Sequence, residues 1–394
     1  MHIIIDATTT QDQLSYAGIG QYTKNIILSL IKGYPNTKFS LLLFNNKEST
    51  LDGQIENLKN VQIVDIGKYK INDYKNDIWY FLKILPTIKK IKQKDSIFFS
   101  PYFWRNYPSY TMPTVLFVHD MNLAMFNMYS QISPIHNFIR SIQYWVTMYK
   151  SLKCKYLVCN SQTTKNDYLS YFSKYPEQNI SVSYLGVDLE EKETPLEDVL
   201  PSDYKQRKYI IYLGGGINKS KNSIGVIQGY IQFLNKLKKE NPPYLVISGG
   251  KFQDKSKKEV KELYDLIEKE NIQNNVIFTG FYEDIQKYSL LSNAFAFIHL
   301  SMYEGFGFAP IEALRSRVPA ILHKNPVYEE LFNKVALMVN GENPTEVGNT
   351  IYDVYTNPKK YESRLEEGYI LSKQYTWENV AKKTYHVFKK ASDN

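Results

Sequence analysis

With 394 residues, 43% of them hydrophobic and 22% charged, the chain has globular composition and is neither disordered nor of low complexity. No apolar run nears the roughly 18 residues that span a bilayer, and the start, Met1-His2-Ile3-Ile4-Ile5-Asp6, lacks a signal's basic region and cleavage site, so a soluble, cytoplasmic protein is expected. The net charge of +8 is uneven: residues 1–188 hold 20 Lys+Arg against 13 Asp+Glu and the rest 28 against 27, a bias that favours anionic partners such as membrane headgroups or phosphorylated substrates.

Short apolar runs alternate with longer amphipathic ones. In the first half, strands are predicted at His2–Asp6, Ser40–Phe44, Val61–Val64, Ser96–Phe99, Thr114–Val118 and Lys155–Cys159. Gly18-Ile19-Gly20 follows the first of these and precedes a helix, Gln21–Ile31. Glycines there let the N–H groups of a helix start approach an anion such as a diphosphate. The spacing is not G-x-G-x-x-G, which counts against a dehydrogenase. Aromatic and basic residues interleave at Trp79-Tyr80-Phe81-Leu82-Lys83 and Tyr102-Phe103-Trp104-Arg105, which suits a membrane surface or a ring-shaped acceptor. Pro86 is expected to break the first of these helices. His119-Asp120 ends the strand Thr114–Val118, and Ile135, Phe138, Ile139, Ile142, Val146 and Tyr149 recur at helical spacing. Cys154 and Cys159, five apart in an extended segment, should point to opposite faces. Two cysteines make neither a disulfide framework nor a four-ligand zinc site, and reduced thiols suit a cytoplasm.

From Leu189 to Lys208 the pattern stops, and the acidic, proline-bearing stretch reads as a linker. Alternation then restarts with strands at Tyr209–Leu213, Tyr244–Ser248, Asn275–Phe278, Ala294–His299, Ala320–Leu322 and Ala336–Val339, and helices such as Ser223–Lys239 and Lys257–Glu270. Such alternation means parallel sheets covered on both faces. The expected fold is α/β, with two doubly wound, Rossmann-like domains: 1–190, a linker 191–207, 208–373, and a closing helix in 374–394 that packs back on the first domain. Ligands in these sheets bind beyond the carboxyl ends of the strands.

Two motifs of the second half lie there. Gly214-Gly215-Gly216-Ile217-Asn218-Lys219-Ser220-Lys221-Asn222 offers glycines, two lysines and a following helix, a plausible phosphate cradle although not a Walker A loop. Glu304-Gly305-Phe306-Gly307-Phe308-Ala309-Pro310-Ile311-Glu312 follows the strand that ends near His299. Pro310 suits the first position of a helix, which would put Glu312 in the first turn, ionised by the helix dipole and fit to accept from a sugar diol. No nucleic-acid-binding signature occurs, and none is expected as a partner.

These residues resemble the retaining glycosyltransferases of the GT-B fold, in particular the large family 4. The E-x7-E element at Glu304 and Glu312 is the most specific sign. Gly18-Ile19-Gly20-Gln21-Tyr22 looks like that family's N-terminal glycine loop, Val118-His119-Asp120 like its acceptor-side histidine strand, Lys221-Asn222 like its lysine element, Phe278-Thr279-Gly280-Phe281 like its base strand, and Tyr375-Thr376-Trp377 like the start of its closing helix. The resemblance implies two domains facing across a cleft and transfer of a hexose from a nucleoside diphosphate sugar, UDP- or GDP-linked, with retention and without metal. Glu304, Lys221 and His119 would be catalytic. Gly18, Gly20, Lys219, Tyr282, Gly305, Phe306, Gly307, Phe308 and Glu312 would bind the donor, with Asp120 and Trp104 on the acceptor side. The acceptor would be a saccharide or lipid-linked saccharide of surface polysaccharide or glycolipid assembly, met at the inner face of the membrane through the basic N-terminal domain. Relatives carry an arginine five or six residues before the lysine; here Gly215 and Gly216 stand there, and Lys219 is the candidate replacement. Two other readings stay open: a nucleotide-sugar epimerase, and a non-catalytic nucleotide-sugar-binding partner of another transferase.

Overall fold

The computed structural model describes residues 1–11, 15, 17–56, 58–68, 75–103, 111–126, 134–214 and 219–393, so Trp104, Gly215 and Gly216 lie outside the described residues. The chain forms two compact units, Met1–Gly186 with Thr376–Asn394, and Val187–Tyr375. Their charges differ in sign. The first holds 24 Lys+Arg against 14 Asp+Glu, the second 24 against 26.

The first unit is a wholly parallel sheet of β1 (His2–Asp6), β2 (Lys38–Leu43), β3 (Val61–Asp65), β4 (Ser96–Ser100), β5 (Thr114–Val118), β6 (Tyr156–Cys159) and β7 (Ile180–Val182), in the order β3-β2-β1-β4-β5-β6-β7. β1, β4 and β5 are buried throughout, as strands covered on both faces must be, and their sequences are accordingly near-continuous apolar runs. His2 and Asp6 are the polar ends of β1; the His2 ring nitrogens lie 2.8 Å from the hydroxyls of Ser96 and Ser40 on the two neighbouring strands. The three-residue β7 carries too little pattern to be predicted.

Two expectations fail in this unit. The helix Lys75–Ile91 runs through Pro86 instead of breaking. Proline forfeits one backbone hydrogen bond and crowds the preceding turn, but Ile84 and Ile88 on either side are fully buried in the core and hold the helix there. Cys154 and Cys159 do not face opposite ways: Cys154 lies just ahead of β6, outside strand alternation, and both free thiols sit in one apolar cluster with Tyr168 and Tyr175. The last helix, Trp377–Asp393, returns to the helix Gly18–Gly33, where Tyr385 stacks on Tyr34 at 3.4 Å and meets the Thr37 hydroxyl at 2.7 Å.

The second unit is also a parallel sheet, of β8 (Tyr209–Leu213), β9 (Tyr244–Ser248), β10 (Val276–Gly280), β11 (Ala296–His299), β12 (Ala320–His323) and β13 (Leu337–Val339), in the order β10-β9-β8-β11-β12-β13. Residues 191–207, read as a linker, belong to the body of this unit. Leu196, Leu200 and Tyr204 are buried at four-residue spacing, and the Thr194 amide donates to Ser289 Oγ at 2.6 Å. Five acids and two prolines among those 17 residues hide its three apolar anchors. In each sheet the strand order reverses beside the first strand, between β1 and β4 and between β8 and β11. Such reversals leave a crevice at the carboxyl ends of the strands.

Candidate active site of the second unit

The loops that leave β8 and β11 meet at this reversal. The Ser220 carbonyl accepts from the Met302 amide (2.7 Å) and the Ser301 hydroxyl (3.1 Å), and Asn325 donates to the Ser301 carbonyl at 2.8 Å. Asn222, left-handed at φ 49°, caps the helix Ser223–Leu237 by accepting from the Gly225 amide, and its Nδ2 donates to the Gly341 carbonyl at 2.9 Å. This lattice aims Lys221. Its Nζ lies 2.6 Å from Glu304 Oε1, with both side chains about four-fifths buried. Burial works against the Glu304 charge, but Lys221 beside it, helped by His299 and the Ser301 hydroxyl, holds the carboxyl below its ordinary pKa. Glu304 is therefore an ionised carboxylate with a fixed cation.

His299, the last residue of β11, is buried, and its Nδ1 lies 2.8 Å from the Tyr328 hydroxyl. Burial pushes its pKa down to about 4, with Glu304 opposing and Lys221 reinforcing. In the first unit, His119 follows β5, is buried, and donates from Nε2 to the Pro101 carbonyl at 2.8 Å. Burial lowers it to about 4 as well, the Pro101 contact opposing. Both rings are neutral near pH 7. Unfolding restores a pKa near 6.5, so the unfolded chain binds protons first and stability should fall as pH drops from about 6.5 to about 4, by on the order of 3 kcal/mol for each histidine. Urea midpoints across that range check this, and His299→Phe should flatten the slope; an unchanged slope would exclude His299 as a source.

The helix Phe308–Arg315 carries the second glutamate. Its N-cap, Gly307, has φ +126°, and a Cβ there would come within 3.0 Å of the Tyr328 ring and 3.3 Å of Phe332. Only glycine fits. Pro310 stands third in the helix, not first, so Glu312 lies fifth, beyond the first turn and the strongest part of the dipole. Its charge is met instead by Lys287, from the short helix Lys287–Ser292, at 3.1 Å. Burial pulls the Lys287 pKa down, but Glu312, Tyr282 and Asp284 outweigh it and raise the group above its ordinary range. Lys287 was missed in the sequence because it belongs to no motif; only the fold brings it to Glu312. Arg315 anchors the same helix, donating to the carbonyls of Val187 (2.5 Å) and Ser372 (2.7 Å).

The remaining predicted residues fall as follows. Gly305, Phe306 and Gly307 lead from Glu304 into the helix that Phe308 opens, with the Phe306 ring 5.8 Å from Phe308 and 5.6 Å from Tyr375. Tyr282 lies just beyond β10, its hydroxyl pKa raised by burial. Exposed Phe281 beside it covers Gly250 so closely that a Cβ there would meet its ring at 2.3 Å. Lys219 is exposed at the start of the turn Lys219–Lys221. In the first unit, Gly18 and Gly20 are in the first turn of the helix Gly18–Gly33, which begins three residues earlier than predicted and has no side-chain cap. Asp120 accepts from the Asn122 amide at 2.9 Å and starts the short helix Asn122–Phe126.

Residues 202–370 match the family model described as glycosyl transferases group 1. The chain is 23% identical over 199 residues to alpha-1,3/1,6-mannosyltransferase ALG2 of Mus musculus, covering 49% of this chain and 48% of that protein, so this match spans about half the relative's length. It is 22% identical over 301 residues to O-antigen chain mannosyltransferase B of Escherichia coli, covering 75% and 74%. Among solved structures it is similar to Anabaena Alr3699/HepE in complex with UDP and glucose, at TM-score 0.71 and 16% identity over 99% of this chain and 100% of that one. With two Rossmann-like parallel sheets and a glutamate–lysine site at the strand reversal of the second, the chain has the GT-B fold, and its residues 202–370 match the glycosyl transferases group 1 family model.

Proposed function

We propose that this glycosyltransferase moves a hexose, with retention of anomeric configuration, from a UDP- or GDP-sugar to a hydroxyl of a saccharide or lipid-linked saccharide in surface polysaccharide or glycolipid assembly. The Lys221–Glu304 pair at the reversal between β8 and β11 carries this reading. Two relatives named as mannosyltransferases favour mannose as the hexose.

In the proposed reaction the bond from the sugar's C1 to the diphosphate breaks, the bond from C1 to the acceptor oxygen forms on the same face, and the acceptor's proton passes to the departing phosphate oxygen. Charge builds on the diphosphate as C1 becomes oxocarbenium-like. Lys221, with three N–H donors, can hold Glu304 and a phosphate oxygen together, and Lys219 supplies a second positive charge on the same turn. Glu304 binds the sugar hydroxyls and faces C1 as a fixed anion; Gly305 to Phe308 line the sugar, Glu312 takes the ribose hydroxyls, and Tyr282 lies toward the base. Gly18, Gly20, His119 and Asp120 are assigned to the first unit's share of the reaction, with neutral His119 beside the acceptor. Lysine takes the place of a metal in this scheme. No helix among the described residues is long and apolar enough to cross a membrane, and the basic first unit is proposed to meet an anionic membrane surface that presents the acceptor.

An epimerase would convert donor without acceptor, and the relatives are named as transferases. A non-catalytic partner has no need of the ionised Glu304 that Lys221 maintains. The test is thermal stabilisation by GDP, UDP, ADP and their sugar conjugates, with chelator and then with magnesium. A ligand at 100 times its Kd contributes about 2.7 kcal/mol, so one nucleotide should shift the melt alone, equally with and without magnesium. No shift with any nucleotide would overturn the donor site, and a shift only with magnesium would overturn the lysine's replacement of metal.

A further inference from the structure

The helix Pro134–Ser151 in the first unit has two apolar faces. One is core: Tyr144, Met148 and Ser151 are buried. The other is not. Phe138 is 66% exposed, Ile142 48%, Val146 48% and Tyr149 61%, at steps of four, four and three residues that keep them on one side of the helix over about 16 Å. An apolar stripe at this spacing is ordinarily the face a helix buries. The stripe also continues sideways: Trp145 lies 5.4 Å from the ring of Tyr171, which is exposed and whose hydroxyl is 3.7 Å from the sulfur of exposed Met125. Seven of the twelve exposed large apolar or aromatic side chains among the described residues fall between Met125 and Tyr171.

The charge around this face is one-sided. From Met121 to Pro176 the sequence has six Lys or Arg and a single acid, Asp167. Lys153, in the turn after the helix, and Lys174, three residues after Tyr171, are exposed. A second copy of the chain would bring the same positive charge against itself. An interfacial helix with apolar side chains below and lysines at the rim fits an anionic lipid surface. We propose that the face Phe138–Ile142–Val146–Tyr149 inserts among the headgroups of an anionic bilayer and seats the first unit on it. This rests on the membrane reading of the acceptor above for its purpose, but the contact itself needs neither donor nor acceptor.

The full chain is mixed with vesicles of phosphatidylcholine alone or with about a third phosphatidylglycerol, and bound protein is measured by sedimentation at low and high salt. Binding should require phosphatidylglycerol, weaken several-fold as salt rises, and fall at least tenfold in Ile142→Gln/Val146→Gln. The nucleotide melting shift of that variant should match the wild type. If the variant does not fold, Lys153→Glu/Lys174→Glu must show the same loss. No binding of the wild type to anionic vesicles, wild-type-like binding of a folded variant, or a solution dimer that the glutamines dissociate in a chain that ignores vesicles would each overturn the proposal. Because the vesicles contain no saccharide, failure of the transfer reaction leaves this result standing, and failure here leaves the donor site standing.

Discussion

Lys221→Met should lower kcat by roughly 10²–10³, the loss expected when one preorganised donor to a developing anion is removed. Glu304→Gln should cost a similar factor, and the double variant little more than either single one, because the two groups act as one unit 2.6 Å apart. A second signature separates this from damage to the fold. Lys221 is what overcomes burial to keep the Glu304 pKa below its ordinary range. Without it burial is opposed only by His299 and the Ser301 hydroxyl, the carboxyl pKa rises, and the acid limb of the residual rate should move to higher pH. Lys221→Arg keeps the charge and should leave that limb in place while still losing rate, since a planar guanidinium cannot divide its donors between carboxylate and phosphate as an ammonium does. A Lys221→Met enzyme within threefold of wild type, or one with an unmoved pH profile, would remove the pair from the mechanism.

The strands of both sheets other than β7 were legible because buried parallel strands must be continuous apolar runs between polar helices, as at Thr114–Val118 and Tyr209–Leu213. The places of Lys221 and Glu304 beyond β8 and β11, and of Glu312 in the helix that follows, were legible from the strand pattern. Their electrostatics were not. A one-dimensional reading gives Glu312 to the helix dipole, whereas the folded chain starts that helix at Phe308 and supplies Lys287 from the short helix Lys287–Ser292 beyond β10. The segment 191–207 reads as a linker for the opposite reason: its five acids and two prolines break the apolar pattern, but Leu196, Leu200 and Tyr204 decide where it packs. Periodicity likewise found the stripe from Phe138 to Tyr149 without saying which way it faces. Period marks one side of a helix, and only the burial of Tyr144 and Met148 shows that the core lies on the other.

The second large effect concerns the Glu312–Lys287 pair and identifies which part of the donor it holds. Glu312→Ala should lower kcat/KM by roughly 10–100-fold, mainly through donor KM, since hydrogen bonds to a charged group are worth about 1.5–3 kcal/mol. The decisive comparison uses the 2′-deoxy nucleoside diphosphate as a competing ligand. Wild type should bind it 10–100-fold more weakly than the ribose form, whereas Glu312→Ala should barely distinguish the two, because the missing hydroxyl and the missing carboxylate are the same interaction. Lys287→Met tests the arrangement from the other side. It removes the cation 3.1 Å from Glu312 while leaving the carboxylate itself, so discrimination should shrink only part of the way toward that of Glu312→Ala. Equal loss of the deoxy ligand in wild type and Glu312→Ala would mean that the ribose is held elsewhere. In that event the Glu312–Lys287 pair is a structural brace, tying the helix Phe308–Arg315 to the turn after β10, and Glu312→Ala should lower stability with donor binding unchanged.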